Sequence, residues 1–332
     1  MDFAPLPWHT AWLAQARLLT SEHHHAWLVV GRSGDGAGQA ASALAASLLC
    51  QQPQASIACG QCPSCRWLAG DVHPDFRKLV PDLGDELKVK LPTIKVEDVR
   101  EALDFMHLTP AGQHGRVLLV DPAEALERVS ANALLKALEE PPPNTRWLLV
   151  AAQPERLLPT IRSRALKIAV SGPTRAEALA WLRAQGVSSP ETLLQQSRGE
   201  PLSALAASQS ESGSAREEFV RDLLRPGQLP TLKWGAWVEA GPKAERRERF
   251  AALLRALLDW TSDWARVRTQ LIPRVYVAER AGLSALGQGL PLSEALRYHR
   301  VLLRKLNLPN TTLSARLQFE SLLLDYRALF SR

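Results

Sequence analysis

Residues 26–38 read AWLVVGRSGDGAG, and an Ala- and Leu-rich run, AASALAASLLC (40–50), follows directly. An apolar run of strand length that turns through glycines into a helical pattern is the opening of a βα unit, and it commits the chain to an α/β fold. Gly31, Gly34 and Gly36 stand where a phosphate-binding loop, G-x4-G-K-[ST], places its turn, but the next two residues are Ala37 and Gly38. In a working loop the backbone amides cradle phosphates, the Lys reaches the β- and γ-phosphates and the hydroxyl holds Mg2+. Ala37 has no charge and Gly38 no hydroxyl.

Further short apolar runs predict the rest of a parallel sheet: DFRKLVP (75–81), RVLLVD (116–121), RWLLVAA (146–152) and ALKIAV (165–170). Helical patterns alternate with them, and helices then cover both faces. One such helix, SANALLKALEE, is expected to be capped by Ser130 and is stopped by the three prolines at 141–143. Asp121 ends its strand where a Walker-B metal carboxylate belongs. The next residue, a water-polarising Glu in many ATPases, is Pro122, and Ala151 and Ala152 stand where a polar group senses the γ-phosphate. An ATPase framework is legible, with its chemistry removed at several points.

From Ser171 the pattern changes. TRAE (174–177) is a capping box that opens EALAWLRAQ, and Gly186 ends that helix. Short helices are expected near 190–197 and 201–209, then a Ser-rich linker, SQSESGSA (208–215), and only helices beyond it. In ERRERFAALLRALLDWTSDWARV, one stripe carries Phe250, Leu253, Leu254, Leu257, Leu258 and Trp264. Trp234, Trp237 and Trp260 read as packing anchors, because no basic residues alternate with them. The expected domains are an α/β domain over 1–170, a small helical lid over 171–210 and a helical C-terminal domain over 211–332.

All four cysteines fall within CQQPQASIACGQCPSC: Cys50, Cys59, Cys62 and Cys65. C-x2-C spacing lets two thiolates face one tetrahedral ion, and the turns at Gly60 and Pro63 fold the backbone around it. The competing readings are a redox pair or free core thiols. The use of every cysteine in one cluster favours a structural Zn2+, closed to catalysis. Three adjacent histidines, His23, His24 and His25, cannot all face one ion, and His73 in HPD fits a turn better than a ligand site.

The net charge of +6 among 332 residues permits nucleic acid as a neighbour, but the charges are mixed in sign along the chain, which fits solvated helix faces better than a DNA groove. No run approaches a membrane span, and the N-terminus lacks the basic start and unbroken apolar core of a secretory signal. The expectation is a cytoplasmic protein whose cysteines are not disulfides.

In PERLLPTIRSRA (154–165), Arg162 and Arg164 flank Ser163; Arg162 reads as a helix-end residue. Together with the Gly-rich loop, the four-cysteine module, the HPD turn, RVLLVD and NALLKALEEPP, this segment resembles the AAA+ clamp loaders of bacterial DNA polymerase III. The resemblance runs from about Trp8 to Arg164 and continues more weakly through SRGEPLSALA and PNTTLSARLQFESLLLDY. Motor members of that family (gamma and tau) keep the loop lysine, so the resemblance is to a branch with a degenerate loop. It implies no ATP bound by this chain, an arginine finger at Arg164 beside Ser163 serving a neighbour's ATP site, and a C-terminal collar joining the chain to the gamma/tau motor subunits and the delta subunit. The family's Ser-Arg-Cys motif reads Ser163, Arg164, Ala165 here, and Leu202 replaces a lid arginine of the motors. Sliding clamp and primed DNA would be partners through the complex. Any enzyme label would belong to the holoenzyme, DNA-directed DNA polymerase. The rival readings are an active loader ATPase with an unusual loop, which Ala37, Gly38 and Pro122 oppose, and a zinc-dependent DNA-binding protein, which lacks the basic stripe it needs.

Overall fold

The computed structural model describes residues 3–20, 24–81, 93–306 and 314–330, which places His23 and the start of the PNTTLSARL segment outside the described residues. The chain forms two compact units, one running to Glu177 and the other beginning at Ala178.

The first unit is built on five parallel strands: β1 (Ala26–Val30), β2 (Phe76–Leu79), β3 (Arg116–Val120), β4 (Thr145–Ala151) and β5 (Leu166–Ala169). Their order is β2-β3-β4-β1-β5, and all pair in parallel, as the alternation of strands and helices predicts. Around the sheet lie α1 (Thr10–Leu19), α2 (Ala37–Leu49), α3 (Pro63–Ala69), α4 (Val96–His107), α5 (Arg128–Glu139) and the single turn α6 (Pro159–Arg162). Alternate residues face opposite layers, as strand geometry dictates. Trp27, Val29, Val117, Leu119, Leu148 and Val150 pack on α1 and α2. Leu28, Leu118, Val120, Trp147 and Leu149 pack on α4 and α5. The inner strands are therefore apolar on both faces, the pattern of a covered parallel sheet.

Ser130 does not cap α5. The helix begins two residues earlier, at Arg128, and the buried Ser130 hydroxyl instead donates to the Ile94 carbonyl at 2.8 Å. That carbonyl also accepts from Glu127 N at 3.4 Å, so the start of α5 is tied to Ile94 twice.

Helices α7 (Arg175–Ala184), α8 (Pro190–Gln196) and α9 (Pro201–Gln209) follow. The capping box is formed: Thr174 N donates to Glu177 Oε2 at 2.8 Å, and Glu177 N donates to Thr174 Oγ1 at 3.3 Å. Beyond Gln209 the described elements are α10 (Glu211–Leu223), α11 (Thr231–Glu239), α12 (Lys243–Arg268), α13 (Arg280–Leu286), α14 (Leu292–Leu306) and α15 (Ala315–Ala328), with short 3-10 turns at Pro226–Gln228 and Gly287–Gly289. Leu253, Leu254, Leu257, Leu258, Trp260 and Trp264 of α12 are buried with Phe219, Trp234, Phe319 and Tyr326. The tryptophans serve packing, as read, and Trp260 Nε1 donates to Tyr326 Oη at 2.9 Å.

The expected linker at 208–215 is a helix junction. Only Ser210 separates α9 from α10, and a Cβ on Gly213 would lie 2.2 Å from the Ala207 carbonyl oxygen. The glycine there permits close approach of two helices, and the serines gave a false signal of flexibility. Asp259, buried in α12, binds Arg198 after α8 and also Arg216 of α10 at 3.4 Å.

Candidate functional site: a cysteine knob, a filled glycine loop and an exposed arginine

The four cysteines converge. Cys50 follows α2, Cys62 is the N-cap of α3, and Cys59 and Cys65 complete a group whose Sγ atoms all lie within 4.8 Å of one another. The Cys50–Cys62 and Cys59–Cys65 sulfurs are 3.9 and 4.0 Å apart. Four thiolates about 2.3 Å from a tetrahedral ion would be about 3.8 Å apart, so the set fits one metal ion. Backbone amides of Cys59, Cys62 and Cys65 donate to the sulfurs of Cys50, Cys59 and Cys62 at 3.2, 3.4 and 3.5 Å. Amide donors hold the Cys59 thiol down to about 6, whereas burial pushes Cys50 and Cys65 up. Holding four thiolates together therefore calls for a cation among them.

His73 is no ligand but a brace for this knob. Its Nδ1 accepts from Asp75 N at 3.0 Å, so Nε2 carries the proton toward Ser64 Oγ at 2.8 Å. Ser64 in turn donates to the Leu49 carbonyl at 2.7 Å. His25 Nε2 bonds the Leu138 carbonyl at 2.9 Å, a structural role.

At the C-terminal end of β1, Gly31 and Gly34 turn the chain through a short 3-10 segment and Gly36 takes φ 91°, a left-handed conformation that disfavours a side chain. Space beside Gly36 is filled by this chain's own N-terminal segment: a Cβ there would lie 2.4 Å from Leu6 Cδ1 and 2.9 Å from His9 Cε1. Ala37 is buried, and Gly38 abuts the Asp121 carboxylate, with a Cβ placed 2.5 Å from Oδ2. The structure thus brings the glycine loop and Asp121 together. It also adds Lys78 of β2, whose Nζ lies 3.1 Å from Asp121 Oδ2. Sequence reasoning passed over Lys78, because only strand pairing places β2 beside β3. At the end of β4, Ala151 is buried and Ala152 exposed, and Gln153 N donates to Glu124 Oε1 at 2.6 Å.

Ser163 and Arg164 lie at the opposite, N-terminal end of the strands. They precede β5, whose first residue, Leu166, pairs with Trp27 near the start of β1, whereas the glycine loop follows the end of β1. Ser163 Oγ donates to the Thr160 carbonyl at 3.0 Å, as does Arg164 Nη1 at 3.0 Å. Arg164 Nη2 meets Glu139 Oε1 at 2.5 Å, with the two side chains 33% and 49% exposed. Glu139, too, was not singled out from the sequence. Arg162 is exposed.

The sequence model of a family described as "DNA polymerase III, delta subunit" matches residues 10–173. DNA polymerase III subunit delta′ of Pseudomonas aeruginosa is 37% identical over 262 residues, 78% of this chain and 75% of that protein. The Escherichia coli subunit delta′ is 34% identical over 239 residues, 71% and 69% of the two chains. The Escherichia coli subunit tau is 37% identical over 144 residues, 43% of this chain and 21% of tau. Identity of 34–37% to delta′ subunits over about two thirds or more of both chains makes this chain a member of the delta′ family of clamp-loader subunits of DNA polymerase III.

Proposed function

We propose that the chain is a non-ATPase subunit of the clamp loader that completes a neighbour's ATP site with Arg164 while its own nucleotide site stays empty. The observation that carries this reading is the position of Arg164 at the N-terminal end of the strands, opposite the end that carries its own glycine loop, where its guanidinium serves another molecule better than its own site. A planar, permanently charged guanidinium braced on the Thr160 carbonyl through Nη1 can exchange the exposed carboxylate on Nη2 for a γ-phosphate. Ser163, bonded to the Thr160 carbonyl, keeps the turn that presents it.

In this reading Cys50, Cys59, Cys62 and Cys65 hold a structural Zn2+, which supplies rigidity and no open coordination position. The lid is residues 171–210, and the collar, residues 211–332, joins the gamma/tau motor subunits and the delta subunit. The protein works in the cytoplasm, reaching clamp and primed DNA through the assembly. Among the described residues no helix is long and apolar enough to cross a membrane.

The test is the DNA- and clamp-stimulated ATPase of a reconstituted loader carrying Arg164→Ala, with assembly and zinc content checked alongside. The expected result is a large loss, on the order of 10³ for a finger of this kind, in a loader that still assembles. An unchanged rate removes Arg164 from the mechanism.

A further inference from the structure

The glycine loop is not merely short of its lysine; its charges are already balanced from within. Two carboxylates border it. Asp121 lies under the first turn of α2 against Gly38, and Asp35, buried inside the loop, packs so closely on Gly172 that a Cβ there would be 2.4 Å from its Oδ2. Each meets a cation of this chain: Lys78 Nζ is 3.1 Å from Asp121 Oδ2, and Arg32 Nε is 2.7 Å from Asp35 Oδ2. The Lys78 and Asp121 side chains are 19% and 22% exposed, so water screens their attraction only partly. A nucleotide polyphosphate needs excess positive charge from lysine, amides and a metal ion together. Here two negative groups and two positive ones leave none.

We infer that Lys78 is an internal counter-ion that takes the divalent cation's place on Asp121 and thereby seals the vestigial site. This rests on the reading that the chain does not use ATP itself, and it adds the residue that enforces it. The Asp121 carboxylate is the end of a short side chain and could swing away from a larger residue at position 38. Lys78 is what holds it against Gly38. Restoring loop chemistry therefore requires two changes in different elements: side chains at 37 and 38 on α2, and removal of the ammonium on β2.

Two measurements on the full chain test this. In urea melts of Lys78→Met, Asp121→Asn and the double variant, the double variant should melt at the midpoint of the more damaged single variant; additive shifts overturn the pairing. In titrations with a fluorescent ATP analogue, with and without Mg2+, Ala37→Lys/Gly38→Ser should not bind, whereas the same chain with Lys78→Thr added should bind in a Mg2+-dependent way. Equal binding by the two, or none by either, overturns the sealing role. Binding by the unaltered chain would instead overturn the ATP-free reading, so the two failures are distinguishable.

Discussion

Arg164 at the turn after α6 donates to Glu139, the last residue of α5, across 2.5 Å, and each side chain keeps a substantial part of its surface in water. Pairs this exposed contribute about 0–1 kcal/mol, little enough to be given up when a phosphate is offered. Glu139→Ala should thus leave thermal stability nearly unchanged and should not slow the loader ATPase, while Arg164→Lys should restore little of what Arg164→Ala loses, since an ammonium lacks the planar fork. A Glu139→Ala loss as large as that of Arg164→Ala would show that the pair itself, and not the free guanidinium, is what matters.

The zinc proposed for the cysteine knob should hold the knob together as a unit. Cys62→Ser removes a sulfur while leaving an oxygen that can still cap α3 through Cys65 N, so it tests the ion and spares the helix. Metal content measured by mass spectrometry should fall to background, with faster amide exchange across residues 50–72. Retention of stoichiometric metal by that variant would rule out the four-sulfur site.

In the helical unit, Asp263 is buried and accepts from three successive amides: Arg274 N at 2.7 Å, Val275 N at 2.7 Å and Tyr276 N at 2.8 Å. Removing it strands buried donors, so Asp263→Ala should cost about 3 kcal/mol or more in urea unfolding. Asn has one carbonyl oxygen where the carboxylate uses two, and Asp263→Asn should recover only part of the loss. A cost below about 1 kcal/mol for Asp263→Ala would mean that solvent reaches those amides.

His9 supplies a pH dependence. Burial lowers it from 6.5 to about 4, so the unfolded chain takes up a proton at this position before the folded one does. Above pH 6.5 no charge has to be buried here, and stability is lost as pH falls from 6.5 toward 4. Wild-type urea midpoints should decline between pH 7 and pH 5 more steeply than those of His9→Phe. Parallel declines would assign the effect to other groups.

The sheet was legible because each inner strand is apolar on both faces and ends in a turn residue, a pattern local to the strand itself. The TRAE capping box was legible for the same reason: its hydrogen bonds join residues three apart. What escaped was set by partners distant in sequence. Ser130 looked like a cap until Ile94 arrived beside it, and SQSESGSA looked like a linker until α9 and α10 met at Gly213. The candidate site divides in the same way. The cysteines and the altered loop were plain from spacing, whereas Lys78 on Asp121 and Glu139 on Arg164 depend on strand order and on a helix end meeting a turn.

The tight fit around Gly36 and Gly38 has a bearing on how such chains are recognised. Leu6, His9 and the Asp121 carboxylate fill the volumes that side chains at those positions would take. Shape alone then demands small residues at both positions, whatever the loop binds. A glycine loop packed this way is accordingly a sign of close packing, and only the charged and hydroxyl side chains beside it can report on phosphate chemistry.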